Sequence, residues 1–236
     1  MQAKSDVAAI VDLCRRRLEL GPHVRLGREY FYASLPLCVI DAVFSINTRY
    51  TAVENVIGRV CDRLGVARFA AGEGVLPDRD TQLSTSRFLE RIGAADPEEL
   101  ARNLFGNRQR TSPRNGILKA DAAVRFAQVL QHGRIEYLQD AAGLGERPDI
   151  EASVHRIPGQ SSGLSWRYFL MLAGDETLTK PDRMVRRFLA RALGREPAAD
   201  EAQALLEQAV VELRSDCPAL TPRLLDHLIW RAERAT

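Results

Sequence analysis

The chain is 236 residues long, 45% hydrophobic and 27% charged, with a formal net charge of +2. That length allows one large or two small domains with a sizeable core, and the balance is that of an ordinary globular protein. The charge is too mild to establish a nucleic-acid partner and too neutral for a funnel that gathers acidic substrates, so where the arginines sit must carry such an argument.

Ser5 stands where it can cap a first helix, DVAAIVDLCRRRLEL, which Gly21-Pro22 ends. LPLCVIDAVFSI (35–46) is apolar almost all round and predicts a helix buried in the middle of the fold. Asn47-Thr48 breaks it, and 52–64 resumes with Val53, Val56, Ile57, Val60 and Leu64 at helical spacing. Residues 65–83 hold three Gly and a Pro and read as a loop. A short helix over 86–92 is followed by one that Asp96-Pro97 opens, with N-cap and N1 preferences met. Residues 106–115 are polar and basic, 117–130 are helical, and 135–141 and 149–157 are two short helices. From 157 to 188 runs IPGQSSGLSWRYFLMLAGDETLTKPDRMVRRF, a Pro-Gly turn, an apolar helix and a second helix led by Asp182. An amphipathic helix over 198–213 and a last one capped by Thr221-Pro222 complete the chain. No run alternates like a strand, so the expected class is all-α.

Cys14, Cys38, Cys61 and Cys217 form no CxxC pair, and none lies at ligand spacing from a histidine. Buried free thiols in a reducing cytoplasm are expected, rather than a zinc or an iron–sulfur cluster. Charges interrupt the opening MQAKSDVAAIVDL, which does not read as a signal peptide. No apolar run approaches the ~20 residues of a membrane span.

Two features could carry chemistry. The turn Pro158-Gly159-Gln160-Ser161-Ser162-Gly163 is built of small and polar residues, which let a backbone turn sharply and approach another surface. The helix after it points free N–H groups at whatever binds there, and a phosphate suits that position; an ordinary helical corner has the same composition. Asp182 follows Pro181 and precedes an amphipathic helix, which fits simple N-capping. It also fits a carboxylate favoured as an anion by the helix dipole, able to orient a water or stabilise a cationic sugar. Arg108, Arg110 and Arg114 suit phosphates or a solvated loop. Trp166 beside the turn, and Tyr30 and Tyr32 before the buried helix, suit stacking on a base or core packing; His155 reads as a surface or packing residue rather than an acid–base partner.

These residues resemble the helix-hairpin-helix (HhH-GPD) DNA glycosylase superfamily, which includes endonuclease III and the alkylated-base glycosylases. In that family the hairpin reads L-P-G-x-G-x-x-T-A, and a catalytic acid follows about twenty residues later. Ile157-Pro158-Gly159 matches the hairpin's start, Leu164-Ser165 sits where Thr-Ala would, and Asp182 matches the acid. The run from Pro181 to Phe188 is similar to the alkylated-base branch. Upstream, LPLCVIDAVFSINTRYTAVENVIGRV is similar to the family's buried helix and polar turn, with Asn47 at the position that enters the duplex. The likeness covers roughly residues 35 to 195, and the hairpin–Asp unit is its specific part.

The resemblance implies a two-lobed helical fold with the active site in the cleft between lobes. One lobe would be residues 34–173, including the hairpin 157–163; residues 1–33 and 174–236 would form the other. It implies a DNA glycosylase that flips a modified or damaged base out of double-stranded DNA and hydrolyses its glycosidic bond. Asp182 would be the catalytic acid, Asn47 and Arg49 would fill the vacated space, and the hairpin 158–163 would hold the backbone. Ser161 replaces the second hairpin glycine, and the place of the family's Schiff-base lysine falls on Gly163 or Leu164. A lyase needs an amine nucleophile there, so a monofunctional enzyme is implied. No iron–sulfur cluster or other cofactor is expected, with a monovalent cation at the hairpin as an option. The partner would be duplex DNA, the setting cytoplasmic and the state monomeric. A DNA-binding relative without catalysis and a helical protein-interaction scaffold are the alternatives.

Overall fold

The computed structural model describes residues 2–72 and 74–234. These contain eleven α-helices and no β-strand, so the all-α class holds. In chain order the helices are α1 (Gln2–Arg17), α2 (Leu35–Phe44), α3 (Tyr50–Leu64), α4 (Thr85–Ile92), α5 (Pro97–Asn103), α6 (Lys119–His132), α7 (Pro148–His155), α8 (Leu164–Leu172), α9 (Arg183–Leu193), α10 (Ala199–Leu213) and α11 (Pro222–Arg234). The chain divides into two compact units, Gly27–Gly174 and Met1–Leu26 with Asp175–Thr236. No helix among the described residues is long and apolar enough to cross a membrane.

The unit Gly27–Gly174 is built around α2. All ten α2 residues are buried, as a helix apolar on every side must be, and α3, α4, α6 and α8 pack on it. Phe44 stacks on Phe105 at 5.3 Å, and Phe126 meets Phe169 at 5.0 Å. Each such side chain contributes about 1.5–3 kcal/mol by leaving water. Ser84 Oγ accepts the Arg87 N–H (3.1 Å) to start α4, and Asp96 Oδ1 accepts the Glu98 N–H (2.8 Å) to start α5.

In the other unit α1 packs on α9 and α10, and α11 packs on α9 and α10. Arg187 Nε (2.7 Å) and Arg191 of α9 both meet the buried carboxylate of Glu233 on α11. Arg15 of α1 pairs with Asp216 at 2.9 Å. All four cysteines are buried and free, as expected, and burial pushes the Cys14 thiol up to about 12.

Three sequence expectations are corrected. Ser5 lies inside α1, which begins at Gln2, so it is not the cap. That helix ends at Arg17, before Gly21-Pro22, because the Leu20 N–H turns back to Leu18 O (3.0 Å). The helix expected over 135–141 is only a 3₁₀ turn, Leu138–Ala141. Asp140 Oδ2 takes the N–H groups of Glu136 (3.0 Å) and Tyr137 (2.9 Å), which stops the backbone there from winding into an α-helix.

Candidate nucleic-acid interface

Within the unit Gly27–Gly174, three segments far apart in sequence are joined. The first is the turn after α2. Asn47 is exposed and left-handed (φ 53°), and exposed Arg49 is the N-cap residue of α3. The second is a loop closed by backbone bonds from Thr111 N–H to Ile117 O (2.9 Å) and from Lys119 N–H to Gln109 O (2.8 Å). It carries exposed Arg108, Arg110 and Arg114. Lys119 Nζ ties these two segments together. It donates to Phe44 O (3.0 Å), Ile46 O (2.6 Å) and Thr48 Oγ1 (2.6 Å), and reaches Gln109 Oε1 at 3.3 Å.

The third segment is the hairpin. Gly159 (φ 86°) stands so close to Thr111 that any Cβ would overlap its side chain. Only glycine combines that backbone with that approach, which seats the hairpin on the basic loop. Gln160 N–H donates to Ile157 O (2.9 Å) and Gly163 N–H to Gln160 O (3.2 Å). Pro158, Ser161 and Ser162 are exposed, whereas the Gln160 side chain is only 2% exposed and accepts from Ser165 Oγ. Gln160 therefore contributes backbone alone to any interface. His155 packs against Gly163, as a packing residue would.

The arginines are not equally available. Arg108 pairs with Glu98 at 3.2 Å, Arg110 lies 3.9 Å from the same carboxylate, and Arg110 Nη1 donates to Gly116 O (2.9 Å). Three hairpin carbonyls, of Ile157, Gln160 and Gly163, already accept backbone N–H groups. The donor set that a monovalent cation would use is thus partly committed.

The aromatic candidates separate. Trp166 is 3% exposed and stacks on Phe126 and Phe169, so it is core. Tyr32 is buried, with its hydroxyl donating to Asp41 Oδ2 (2.8 Å), and burial followed by Asp41 pushes its phenol well up. Tyr30 alone of the three stays half-exposed. Asp41 was not singled out from the sequence. It is 1% exposed in α2, also accepts from Ser45 Oγ (2.5 Å), and acts on Tyr50, which with burial as the larger cause is pushed up too. Its signal was a single acid within an otherwise apolar helix.

In the other unit Asp182 is the N-cap of α9. Its Oδ1 accepts the N–H groups of Met184 (2.7 Å) and Val185 (3.2 Å). Its Oδ2 accepts no hydrogen bond among the described residues, and the residue is half-buried. The segment leading to it is strapped down. Arg223 pairs with Glu176 (2.7 Å), Thr179 N–H donates to Gln203 Oε1 (2.8 Å), and Lys180 N–H donates to Asp226 Oδ1 (2.8 Å). Asp182 N–H then closes a turn on Lys180 O at 2.6 Å. Asp226 was also missed. It is buried on α11, and burial followed by the charge of Asp182 raises its carboxyl to about 8, against the pull of the Lys180 N–H, Lys180 and Arg223. The arrangement offers one oxygen of a carboxylate at the positive end of a helix, backed by a second carboxyl that keeps its proton near neutrality.

No curated protein and no solved structure matches the chain significantly. Residues 8–234 match a family described as a domain of unknown function (DUF8548), and the chain belongs to that family.

Proposed function

We propose that the protein is a monofunctional DNA glycosylase that removes a modified or damaged base from duplex DNA. Its two units would be the lobes of a helix-hairpin-helix glycosylase-like fold. The observation that carries this reading is the joining of three segments in one unit: the Asn47 turn, the basic loop and the hairpin. The resemblance assigns the Asn47 turn and the hairpin to the duplex, the arginines of the loop suit phosphates, and no single stretch of sequence unites the three.

In the reaction the nucleotide leaves the stack, and the bond between C1′ and the base nitrogen breaks. The bonding pair leaves with the base, and positive charge develops on the sugar. Asp182, which caps α9 through Oδ1, offers Oδ2 to that charge and to a water. Water oxygen bonds to C1′; one of its protons passes to Asp182 and on to solvent, and the base takes up a proton. The products are a free base and an uncut abasic strand. Asn47 and Arg49 occupy the vacated space, and backbone groups of 158–163 with Arg108, Arg110 and Arg114 hold phosphates. The protein acts as a cytoplasmic monomer without a cofactor.

The test is incubation with a panel of modified duplexes, with released bases detected by mass spectrometry. Release by the wild type from at least one duplex is expected. Salt-dependent duplex binding with no release from any duplex leaves a non-catalytic DNA-binding protein, and no duplex binding leaves a protein scaffold.

A further inference from the structure

We infer that Lys119 is a positioning residue that presents Asn47 to nucleic acid, an inference that rests on the base-excision reading above. A lysine is costly to bury, and Lys119 is only 3% exposed. Its ammonium meets three acceptors at 3.0 Å or less, and these bracket Asn47 in the chain. Phe44 O and Ile46 O precede it, and Thr48 Oγ1 follows it. The last carbonyls of any helix lack partners, and a cation suits that end of the dipole. A solvated cation would serve that purpose for α2 alone. Lys119 does more, because the same Nζ also reaches Gln109 Oε1, to which Thr48 Oγ1 donates at 2.9 Å.

Asn47 itself is held in the left-handed region (φ 53°), a conformation that persists in non-glycine residues when surrounding contacts over-determine it. Lys119 supplies such contacts on both sides. The Asn47 side chain is exposed and makes no hydrogen bond among the described residues. A fixed backbone carrying an uncommitted amide is the arrangement a wedge into a duplex needs. The same bonds answer a chemical question. An ammonium aimed at three acceptors has no lone pair to offer a sugar carbon, so Lys119 does not stand in for the missing lyase amine.

The test has one arm without DNA and one with it. Hydrogen exchange of the 45–48 amides is compared in the full chain and in Lys119→Met, with Lys119→Arg as the conservative variant. Exchange at least about tenfold faster in Lys119→Met, with α9 to α11 unchanged and Lys119→Arg intermediate, is expected. Equal exchange overturns the positioning role whether or not the protein binds DNA. The second arm measures binding to a duplex carrying a tetrahydrofuran abasic analogue against the same duplex intact. The gap favours a wedge, so the wild type prefers it. Lys119→Met is expected to lose about tenfold of that preference and little of its affinity for intact duplex. Asn47→Gly, which suits the left-handed backbone and removes only the side chain, is expected to lose the same preference. Preference retained by Asn47→Gly overturns the inference, because asparagine would then be present only to tolerate the turn. A wild type that binds neither duplex overturns the base-excision reading and the nucleic-acid part of this inference with it, and the exchange arm tells the two failures apart.

Discussion

Asp226→Asn should make stability less dependent on pH, and the structure sets the size of the effect. Asp226 lies at 8% exposure on α11, where burial and then Asp182 raise its carboxyl from 3.8 to about 8. The folded chain therefore holds this proton more tightly than the unfolded chain. That contribution to stability is complete below the unfolded value and is lost as the pH rises through the folded one. Between pH 5 and pH 8.5 the loss amounts to roughly three units, or on the order of 4 kcal/mol. Asparagine keeps an acceptor for the Lys180 N–H, now at 2.8 Å, and does not titrate. Urea unfolding of both proteins at pH 5, 6, 7 and 8.5 should show the variant gaining on the wild type by about that amount, with most of the gain between pH 5 and 8. A stability difference that stays flat across this range, or that grows towards low pH, refutes the account of Asp226 as a carboxyl kept protonated by burial beside Asp182.

Other predictions follow from single contacts. Gly159→Ala meets both a positive φ and the Thr111 side chain, and should cost about 2 kcal/mol in urea unfolding; a neutral variant means the hairpin does not sit on the basic loop. Arg114→Ala should lower the slope of log affinity against log salt by about 1, without changing preference among intact duplex sequences. Arg108→Ala should change it less, because Glu98 already engages that guanidinium at 3.2 Å. Borohydride should trap no covalent adduct with DNA, and a robust adduct means that an amine does reach the sugar.

Much of the helical framework was legible because the signals are local. The apolar run at Leu35–Phe44 could only be an interior helix, and Asp96-Pro97, Asp182 and Thr221-Pro222 start helices where cap chemistry places them. The boundaries shifted where a local bond intervened, as when the Leu20 N–H turned back to Leu18 O after α1, or when Asp140 captured amides that an α-helix over 135–141 would have used. The partners of the candidate site were less legible, because they are tertiary. Nothing near Lys119 in sequence shows that its amine ends at Phe44 O and Ile46 O, and nothing near Asp226 shows that it faces Asp182. Trp166 and Tyr32 were ambiguous for the same reason, since an aromatic beside a turn looks alike whether it lines a pocket or fills a core.

In the proposed reaction Asp182 acts on the glycosidic bond rather than only capping α9. Asn caps about as well as Asp, so Asp182→Asn should unfold within about 1 kcal/mol of the wild type and bind the same duplex. The decisive measurement is single-turnover base release from a substrate duplex bound to saturation by each protein. Equal binding, with release slowed by at least about a thousandfold in Asp182→Asn, is expected. Release at the wild-type rate from the bound variant contradicts it and returns Asp182 to the role of a helix cap.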